Sequence, residues 1–242
     1  MISNVAALTF DVGGSVFDWK SAVRAEIHKR ALAVGVEVDA DQFADEWRVR
    51  MFSILDQVRN GELQRINSDR MHRLALEDIA PNYAQMELSA GDLDETNKVW
   101  HRLPVWPEFP DALTRLREHY RVVVLTVLSF ASVVDSSKYS GISWDGVLSC
   151  EFLEQYKPHP EAYLQACSLL GLQPARVMMV ATHPLDLAAA RSVGLQTAFV
   201  RPKFQEPERA GISSKVDMTN YDYVAADYTD LADRLSAAGK QE

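Results

Sequence analysis

Four polar side chains in this sequence have the types and the placement that nucleophilic catalysis requires. Asp11, Thr126 and Asp186 stand at or just past the ends of short apolar runs, and Lys157 precedes a helix-like stretch. A carboxylate such as that of Asp11 can act as a nucleophile when neighbouring donors hold it and water is limited. A nearby ammonium group such as that of Lys157 favours the charged form of the carboxylate. Taken singly, each residue also fits a turn, a helix cap or a surface position.

The short apolar runs are typical of parallel strands that are buried on both faces. Strands are predicted over Val5–Phe10, Arg121–Val127, Asp145–Ser149, Val177–Ala181, Thr197–Val200 and Val224–Ala226, and helices over Pro110–Glu118, Pro160–Leu170 and Leu185–Val193. This alternation predicts an α/β fold with an open, doubly wound parallel sheet. Because the carboxyl ends of parallel strands share one crevice, we expect the polar side chains to meet there.

Residues from about 19 to 103 have a different pattern, with helical periodicity and no convincing strand. Phe43, Trp47 and Met51 recur at a spacing of four, as buried side chains on one face of a helix do. The pattern predicts a helical cap domain over 19–103, inserted after the first strand, and an α/β core domain made of 1–18 and 104–242. The active site is then expected under the cap, beyond the carboxyl ends of the strands.

The order of these residues resembles the haloacid dehalogenase superfamily over nearly the whole chain. The stretch 8–19, Leu-Thr-Phe-Asp-Val-Gly-Gly-Ser-Val-Phe-Asp-Trp, looks like its first motif. In that motif Asp11 matches the nucleophile, and Ser15 matches the hydroxyl group four residues later. The second, third and fourth motifs are matched in turn by Thr126, Lys157 and Asp186. The resemblance implies a Rossmann-like core with a cap, and catalysis through an aspartyl intermediate.

Two further residues indicate which branch of the superfamily the chain resembles. Phosphatases place an aspartate two residues after the nucleophile as general acid and base, and here that position is Gly13. A halide leaves without protonation, so a dehalogenase does not need the acid. Arg48, after Trp47, matches the cap-helix arginine that faces the halide in the 2-haloacid dehalogenase branch. Judged from its own position, Arg48 is equally well explained as a solvated helix residue.

The resemblance therefore implies a hydrolytic dehalogenase of short 2-haloalkanoic acids. Asp11 would attack C2 with inversion, and water would hydrolyse the aspartyl ester to the 2-hydroxyacid. Lys157 would hold Asp11 ionised, and Asp186 would orient Lys157 or help to activate water. Ser15 and Thr126 would bind the nucleophile or the substrate carboxylate. The branch uses no metal and no organic cofactor, and it is often dimeric, so a homodimer is an open expectation.

Several pocket residues depart from the pattern of this branch. Val127 replaces the usual asparagine after the second-motif hydroxyl, and Leu185 replaces a frequent aromatic. Gly13 also stands where an aromatic is common, which predicts a roomier pocket. His183 stands where asparagine is frequent, and it is interpreted either as orienting water or an acid partner or as a loop histidine. Residues 201–220 are interpreted as a polar loop without an assigned function.

Two alternatives to the dehalogenase stay open at this stage. One is a magnesium-dependent phosphatase of the same superfamily, against which Gly13 counts. The other is a catalytically degenerate binding or regulatory protein, which Val127 suggests. The same departures also allow a substrate that is bulkier than chloroacetate or that carries no halogen.

The composition excludes several other classes of function. The 242 residues carry 25 Lys plus Arg against 34 Asp plus Glu, and the net charge of −9 is a poor match to nucleic acid. The longest apolar runs, such as 122–128, fall far short of the ~20 residues that a membrane helix needs. Cys150 and Cys167 lack metal-ligand spacing and fit a reducing cytoplasm. A small-molecule substrate is therefore the expected partner, with no nucleic acid and no membrane.

Overall fold

A single parallel sheet organises the computed structural model, which describes residues 5–207 and 218–239. Its strands are β1 (Ala7–Phe10), β2 (Arg121–Thr126), β3 (Gly146–Ser149), β4 (Val177–Ala181), β5 (Gln196–Val200) and β6 (Tyr223–Ala225). They lie in the order β3-β2-β1-β4-β5-β6, so the chain winds outward from β1 in both directions. This order confirms the predicted α/β fold with a doubly wound parallel sheet. The direction of winding changes between β1 and β4, which is where such sheets bind ligands.

The two central strands explain why their sequences are continuous apolar runs. Every residue of β1 and of β4 is buried, because helices cover both faces of the sheet. β1 pairs in parallel with β2 and with β4, and Phe10 lies opposite both Val124 and Val180. The residue after Phe10 therefore emerges at the middle of the sheet edge, between two neighbouring strand ends.

Nine α-helices lie within the described residues, joined in several places by short 3₁₀ turns. They are α1 (Trp19–Ala33), α2 (Ala40–Arg59), α3 (Ser68–Ile79), α4 (Ala90–Asn97), α5 (Phe109–Arg117), α6 (Phe130–Tyr139), α7 (Pro160–Leu170), α8 (Pro184–Ser192) and α9 (Tyr228–Gly239). The first five lie between β1 and β2 in the chain, and the first four of these fall within residues 19–103, as the helical periodicity predicts. Their grouping into a separate cap domain stays a prediction. None of the described helices is long and apolar enough to cross a membrane.

Helix α2 carries side chains from the helical segment to the edge of the sheet. Asp39 caps its start by accepting hydrogen bonds from the backbone N–H groups of Asp41 and Gln42. Phe43 and Trp47 are fully buried, and the Trp47 indole N–H donates to the backbone carbonyl of His72. This packing fixes the rotation of α2, so the residues that follow Trp47 point in a defined direction.

Helix α6 was not predicted, and its composition explains why. Ser132, Ser136 and Ser137 are all buried in the structure, so polar residues occupy much of its inner face. The Ser136 hydroxyl accepts a hydrogen bond from the backbone N–H of Leu103. A helix that buries serine lacks the apolar periodicity on which sequence-based prediction depends.

His101 joins two helices that are far apart in the chain. Its Nδ1 lies 2.8 Å from the Asp135 carboxylate on α6, and its Nε2 lies 3.4 Å from the Asp69 carboxylate on α3. Hydrogen bonding to Asp69 raises the pKa of His101 above its usual value, against the opposing effect of burial, and Asp135 adds to the rise. The imidazolium form of His101 therefore stabilises the contact between α3 and α6.

We expect this contact to make stability depend on pH above neutrality. A raised pKa means that the stabilisation is complete below the unfolded value of about 6.5 and is lost as pH rises through the folded value. His101→Gln should therefore lower the free energy of unfolding by on the order of 1 kcal/mol at pH 6, and by less at pH 9. Urea denaturation of the wild type and the variant at both pH values measures this difference. An effect that is equal at pH 6 and pH 9 would contradict the prediction.

Candidate active site

Asp11 follows β1 directly and is held from several sides. Its Oδ2 accepts a hydrogen bond from the Ser15 hydroxyl at 2.7 Å and lies 2.9 Å from His183 Nδ1. Its Oδ1 accepts from Lys157 Nζ at 3.0 Å. Burial on its own raises the pKa of Asp11, but Lys157, His183 and Ser15 together hold it well below the usual range. Asp11 is therefore a buried carboxylate that stays ionised and has a fixed orientation.

Lys157 bridges two carboxylates at the sheet edge. Its Nζ donates to Asp11 at 3.0 Å and to Asp186 Oδ2 at 2.6 Å. Burial lowers the pKa of Lys157, but the two carboxylates outweigh this effect and raise it above the usual range. The other oxygen of Asp186 accepts a hydrogen bond from the Tyr163 hydroxyl. Lys157 is therefore a permanent cation whose position is set by Asp186.

Arg48 reaches the same site from α2 and is only 2 % exposed, so it is not a solvated helix arginine. Its NH2 group donates to the Gly13 carbonyl at 3.2 Å. Its guanidinium carbon lies 4.9 Å from the Trp19 ring centroid and 4.5 Å from that of Phe52. Its NH1 group is buried and has no hydrogen-bond partner among the described residues. A buried cation with an unsatisfied donor is well suited to binding an anion.

These side chains face a cavity of about 330 Å³ at the carboxyl ends of the strands. Every predicted site residue except Ser15 lines it, namely Asp11, Gly13, Arg48, Thr126, Lys157, His183 and Asp186. The remaining lining residues are Phe52, Asp56, Arg59, Val127, Leu128, Pro158 and Leu185. Residues that are distant in sequence therefore share one pocket, as the rule for parallel sheets predicts.

The hydroxyl groups and the glycine occupy different parts of the site. Ser15 is fully buried behind Asp11, and its hydroxyl also accepts a hydrogen bond from the backbone N–H of Thr182. Thr126 faces the cavity, and its hydroxyl accepts from the backbone N–H of Leu128 at 3.1 Å. A Cβ atom at Gly13 would meet the Leu128 side chain only at 3.6 Å. A methyl group at Gly13 would therefore be in ordinary van der Waals contact with Leu128 and Arg48, so these side chains occupy the space next to the glycine.

A third carboxylate, that of Glu206, completes the site. Its Oε1 accepts from the Trp19 indole N–H at 2.9 Å and lies 3.5 Å from His183 Nε2. Its Oε2 accepts from Arg48 Nε at 3.4 Å. Burial raises the pKa of Glu206, but Arg48 and His183 outweigh it and lower the value to about 2. Glu206 is therefore an anion that contacts both the buried arginine and the histidine beside Asp11.

Comparison with known proteins identifies the family of this chain. A model of haloacid dehalogenase-like hydrolases matches residues 5–194, a range that contains Asp11, Arg48, Lys157 and Asp186. This chain belongs to the haloacid dehalogenase-like hydrolases. The family membership confirms the resemblance on which the sequence analysis relied, and it makes the protein a hydrolase.

Individual relatives of this haloacid dehalogenase-like hydrolase include dehalogenases and phosphatases. The (S)-2-haloacid dehalogenase 4A of Burkholderia cepacia is 27 % identical over 219 residues, covering 86 % of this chain and 88 % of the relative. A defluorinating L-2-haloacid dehalogenase of known structure is 33 % identical, with a TM-score of 0.88, covering 96 % of this chain and 95 % of that one. The N-acetylmuramic acid 6-phosphate phosphatase of Pseudomonas aeruginosa is 40 % identical, but over 63 residues, which are 26 % of this chain and 28 % of the relative.

The sequence analysis missed several residues of this hydrolase site, among them Tyr163 and Glu206. Tyr163 is an ordinary buried position on α7, and only its spacing after Lys157 signals a role near the motif. Glu206 comes from the loop after β5, within the 201–220 segment to which no function was assigned. The useful signal is that β5 ends at the same sheet edge as β1 and β4. Residues 208–217 of that loop lie outside the described residues.

Proposed function

We propose that this hydrolase removes the halogen from short 2-haloalkanoic acids through an ester on Asp11. The observation that carries the proposal is that an ionised, oriented carboxylate, that of Asp11, and the buried cation Arg48 line one cavity. A nucleophile and a cation of this kind are what displacement of an anionic leaving group needs. Gly13 supplies no general acid, which is acceptable because a halide leaves without a proton.

In the first step an Asp11 oxygen attacks C2 of the substrate while the carbon–halogen bond breaks. Lys157 holds Asp11 charged, and Ser15 limits its rotation. The departing halide takes the bonding electron pair, and the Arg48 guanidinium stabilises its charge. In this proposal the helices of residues 19–103 act as the cap that keeps bulk water away from the ion pair.

In the second step water attacks the carbonyl carbon of the Asp11 ester. The bond between that carbon and the ester oxygen breaks, so the original Asp11 oxygen leaves in the 2-hydroxyacid. Lys157 then has the restored carboxylate as its partner again. The cycle consumes one water and releases one halide and one proton.

The names of the relatives support the choice of substrate class. Relatives that match over most of their length include two that are named for (S)- and L-2-haloacids. The cavity of about 330 Å³ has room for substrates larger than chloroacetate, such as 2-chloropropionate and its longer homologues.

The test is halide release from a panel of L- and D-2-haloacids, fluoroacetate included, measured with and without EDTA. We expect release from L-enantiomers that EDTA does not change. In H₂¹⁸O, a single turnover with excess enzyme should give an unlabelled 2-hydroxyacid, because its new oxygen comes from Asp11. Label in the first-turnover product would reject the ester mechanism. No release from any haloacid, with EDTA-sensitive hydrolysis of a phosphate ester, would instead support a phosphatase.

A further inference from the structure

An arginine from the helical segment holds the loop that carries Lys157 to the nucleophile. This loop joins β3 to α7 and comprises residues 150–159, with Lys157 near its end. Arg65 lies between α2 and α3, and its guanidinium donates to three backbone carbonyl groups of the loop at distances of up to 3.0 Å. These are the carbonyl groups of Cys150, Leu153 and Glu154. One side chain therefore joins several points of the loop.

The residue that precedes Lys157 is held by the same part of the helical segment. The guanidinium carbon of Arg65 lies 4.4 Å from the centroid of the Tyr156 ring. The Tyr156 hydroxyl donates to the backbone carbonyl of Ile66 at 2.9 Å, and the side chain is buried. These two contacts fix Tyr156 and, with it, the backbone from which the Lys157 side chain extends.

A second arginine contacts the end of the loop. Arg59, the last residue of α2, donates to the backbone carbonyl of Lys157 and lines the cavity. Within the described part of the chain, Arg65 is not among the residues that line the cavity. Arg65 is also exposed, so its replacement leaves no void in the core. An effect of Arg65 on the reaction therefore has to pass through the loop.

The three carbonyl groups around Arg65 need a cation between them. Carbonyl oxygens that converge on one point repel one another, because the negative ends of their dipoles lie close together. A guanidinium offsets this repulsion and supplies donors in a rigid plane. Without it, we expect the carbonyl groups to turn toward water and the loop to change its shape. The flexible Lys157 side chain would then lose the fixed origin from which its Nζ reaches Asp11 at 3.0 Å and Asp186 at 2.6 Å.

We propose that Arg65 is a positioning residue for Lys157, and that it shapes the loop so that the Lys157 ammonium lies between Asp11 and Asp186. The consequence for the reaction rests on the proposed function, because that function needs a charged and oriented Asp11. The helical segment thus supplies two cations on which the reaction depends. Arg48 acts inside the cavity, and Arg65 acts from outside it.

Steady-state kinetics with (S)-2-chloropropionate test this role in Arg65→Ala. We expect kcat to fall by about 10-fold to 100-fold, because a small displacement of a catalytic group has an effect of this size. We expect KM to change by less than about threefold, since Arg65 lies outside the cavity. Arg121→Ala is the matched control and should keep the wild-type kcat. Arg121 is exposed and donates to the backbone carbonyl of Leu170 at 3.0 Å, but it lies at the amino end of β2, opposite the site.

Combining the variant with Lys157→Met separates positioning from a general structural role. If Arg65 acts through Lys157, Arg65→Ala should lower halide release by less than about twofold once Lys157 has been replaced. A general loss of structure would lower the rate by the same factor in both backgrounds. An undiminished effect of Arg65→Ala in the Lys157→Met protein would therefore overturn the proposal.

A measurement without substrate reports the position of Lys157 directly. Lys157 is 4 % exposed and is held by two carboxylates, so an amine-acylating reagent should modify it slowly. In Arg65→Ala we expect this modification to be faster by at least about 10-fold, because the loop opens more often. Mass spectrometry of the peptide that contains Lys157 measures the rate. Lys138, at an exposed position on α6, is the internal control and should react equally in both proteins.

The possible results separate the two proposals. If the wild type releases no halide from any haloacid, the proposed function fails, and the acylation rate alone decides the role of Arg65. If the wild type releases halide but Arg65→Ala keeps the wild-type kcat, only the role of Arg65 is overturned. A lowered kcat with unchanged acylation of Lys157 would overturn it as well, since the loss would not come from that lysine. Should Arg65→Ala not fold, Arg65→Gln is measured by the same criteria.

Discussion

Replacing Asp11 with asparagine is expected to lower halide release by about 10⁴-fold or more, because an amide cannot form the ester. The amide has nearly the same shape as the carboxylate, so contacts with Ser15 and Lys157 are retained in part. Halide measured with a selective electrode and hydroxyacid measured by chromatography report the loss. Asp233→Asn, at an exposed position on α9, is the matched control and should keep full activity.

The same variant distinguishes an enzyme from a binding protein. A binding protein needs only the pocket, so Asp11→Asn would leave ligand-dependent thermal stabilisation unchanged and the wild type would show no turnover. For the enzyme, we expect turnover by the wild type and stabilisation without turnover by the variant. An Asp11→Asn protein with more than a hundredth of the wild-type rate would contradict the role of Asp11.

Replacing Lys157 with methionine is expected to affect both activity and stability. It leaves Asp11 and Asp186 buried without the cation that bridges them. Breaking a buried ion pair on one side costs about 3 kcal/mol or more, and misplacing the nucleophile should lower halide release by about 10³-fold. Lys138→Met, at an exposed position on α6, should change neither quantity.

The loss of stability in Lys157→Met should depend on pH with a definite sign. In the wild type the depressed pKa of Asp11 contributes stability above the unfolded value of about 3.9, and this contribution is lost as pH falls. Without Lys157 the buried Asp11 carboxylate binds a proton more readily. Protonation at acidic pH therefore removes the cost of burying an unpaired charge. We expect the difference in the free energy of unfolding to be larger at pH 8 than at pH 5. Denaturant titration at both values tests this, and a difference that grows toward pH 5 would be against it.

Local signals were sufficient for two elements beside the site, β4 and α7. The β4 strand has the predicted bounds, Val177–Ala181, because a run buried on both faces is apolar throughout. Helix α7 also has its predicted bounds, Pro160–Leu170, since Pro160 suits a helix start and Gly171 ends it with a left-handed φ of 65°. In both cases the residues that determine the structure are neighbours in the sequence.

The parts that could not be predicted depend on contacts between distant residues. Nothing near Glu206 in the sequence shows that its carboxylate meets Trp19 and Arg48, which lie on different helices. The interpretation of His183 also stayed open, because the two carboxylates that it contacts, those of Asp11 and Glu206, come from other segments of the chain. Placement at a strand end predicts that a residue is near the site, but only packing shows what it touches.

The central position of β1 has a consequence for the synthesis of this protein. Ala7 pairs with Arg121 on one side and with Val177 on the other, so the strand is made long before its partners. On the ribosome the helical segment after β1 can fold locally, while both edges of β1 are still unpaired. In a nascent chain that stops before β4, the backbone N–H and C=O groups along one edge of β1 are unpaired. We therefore expect the nascent chain to aggregate most readily, and to depend most on chaperones, before Ala181 has been synthesised.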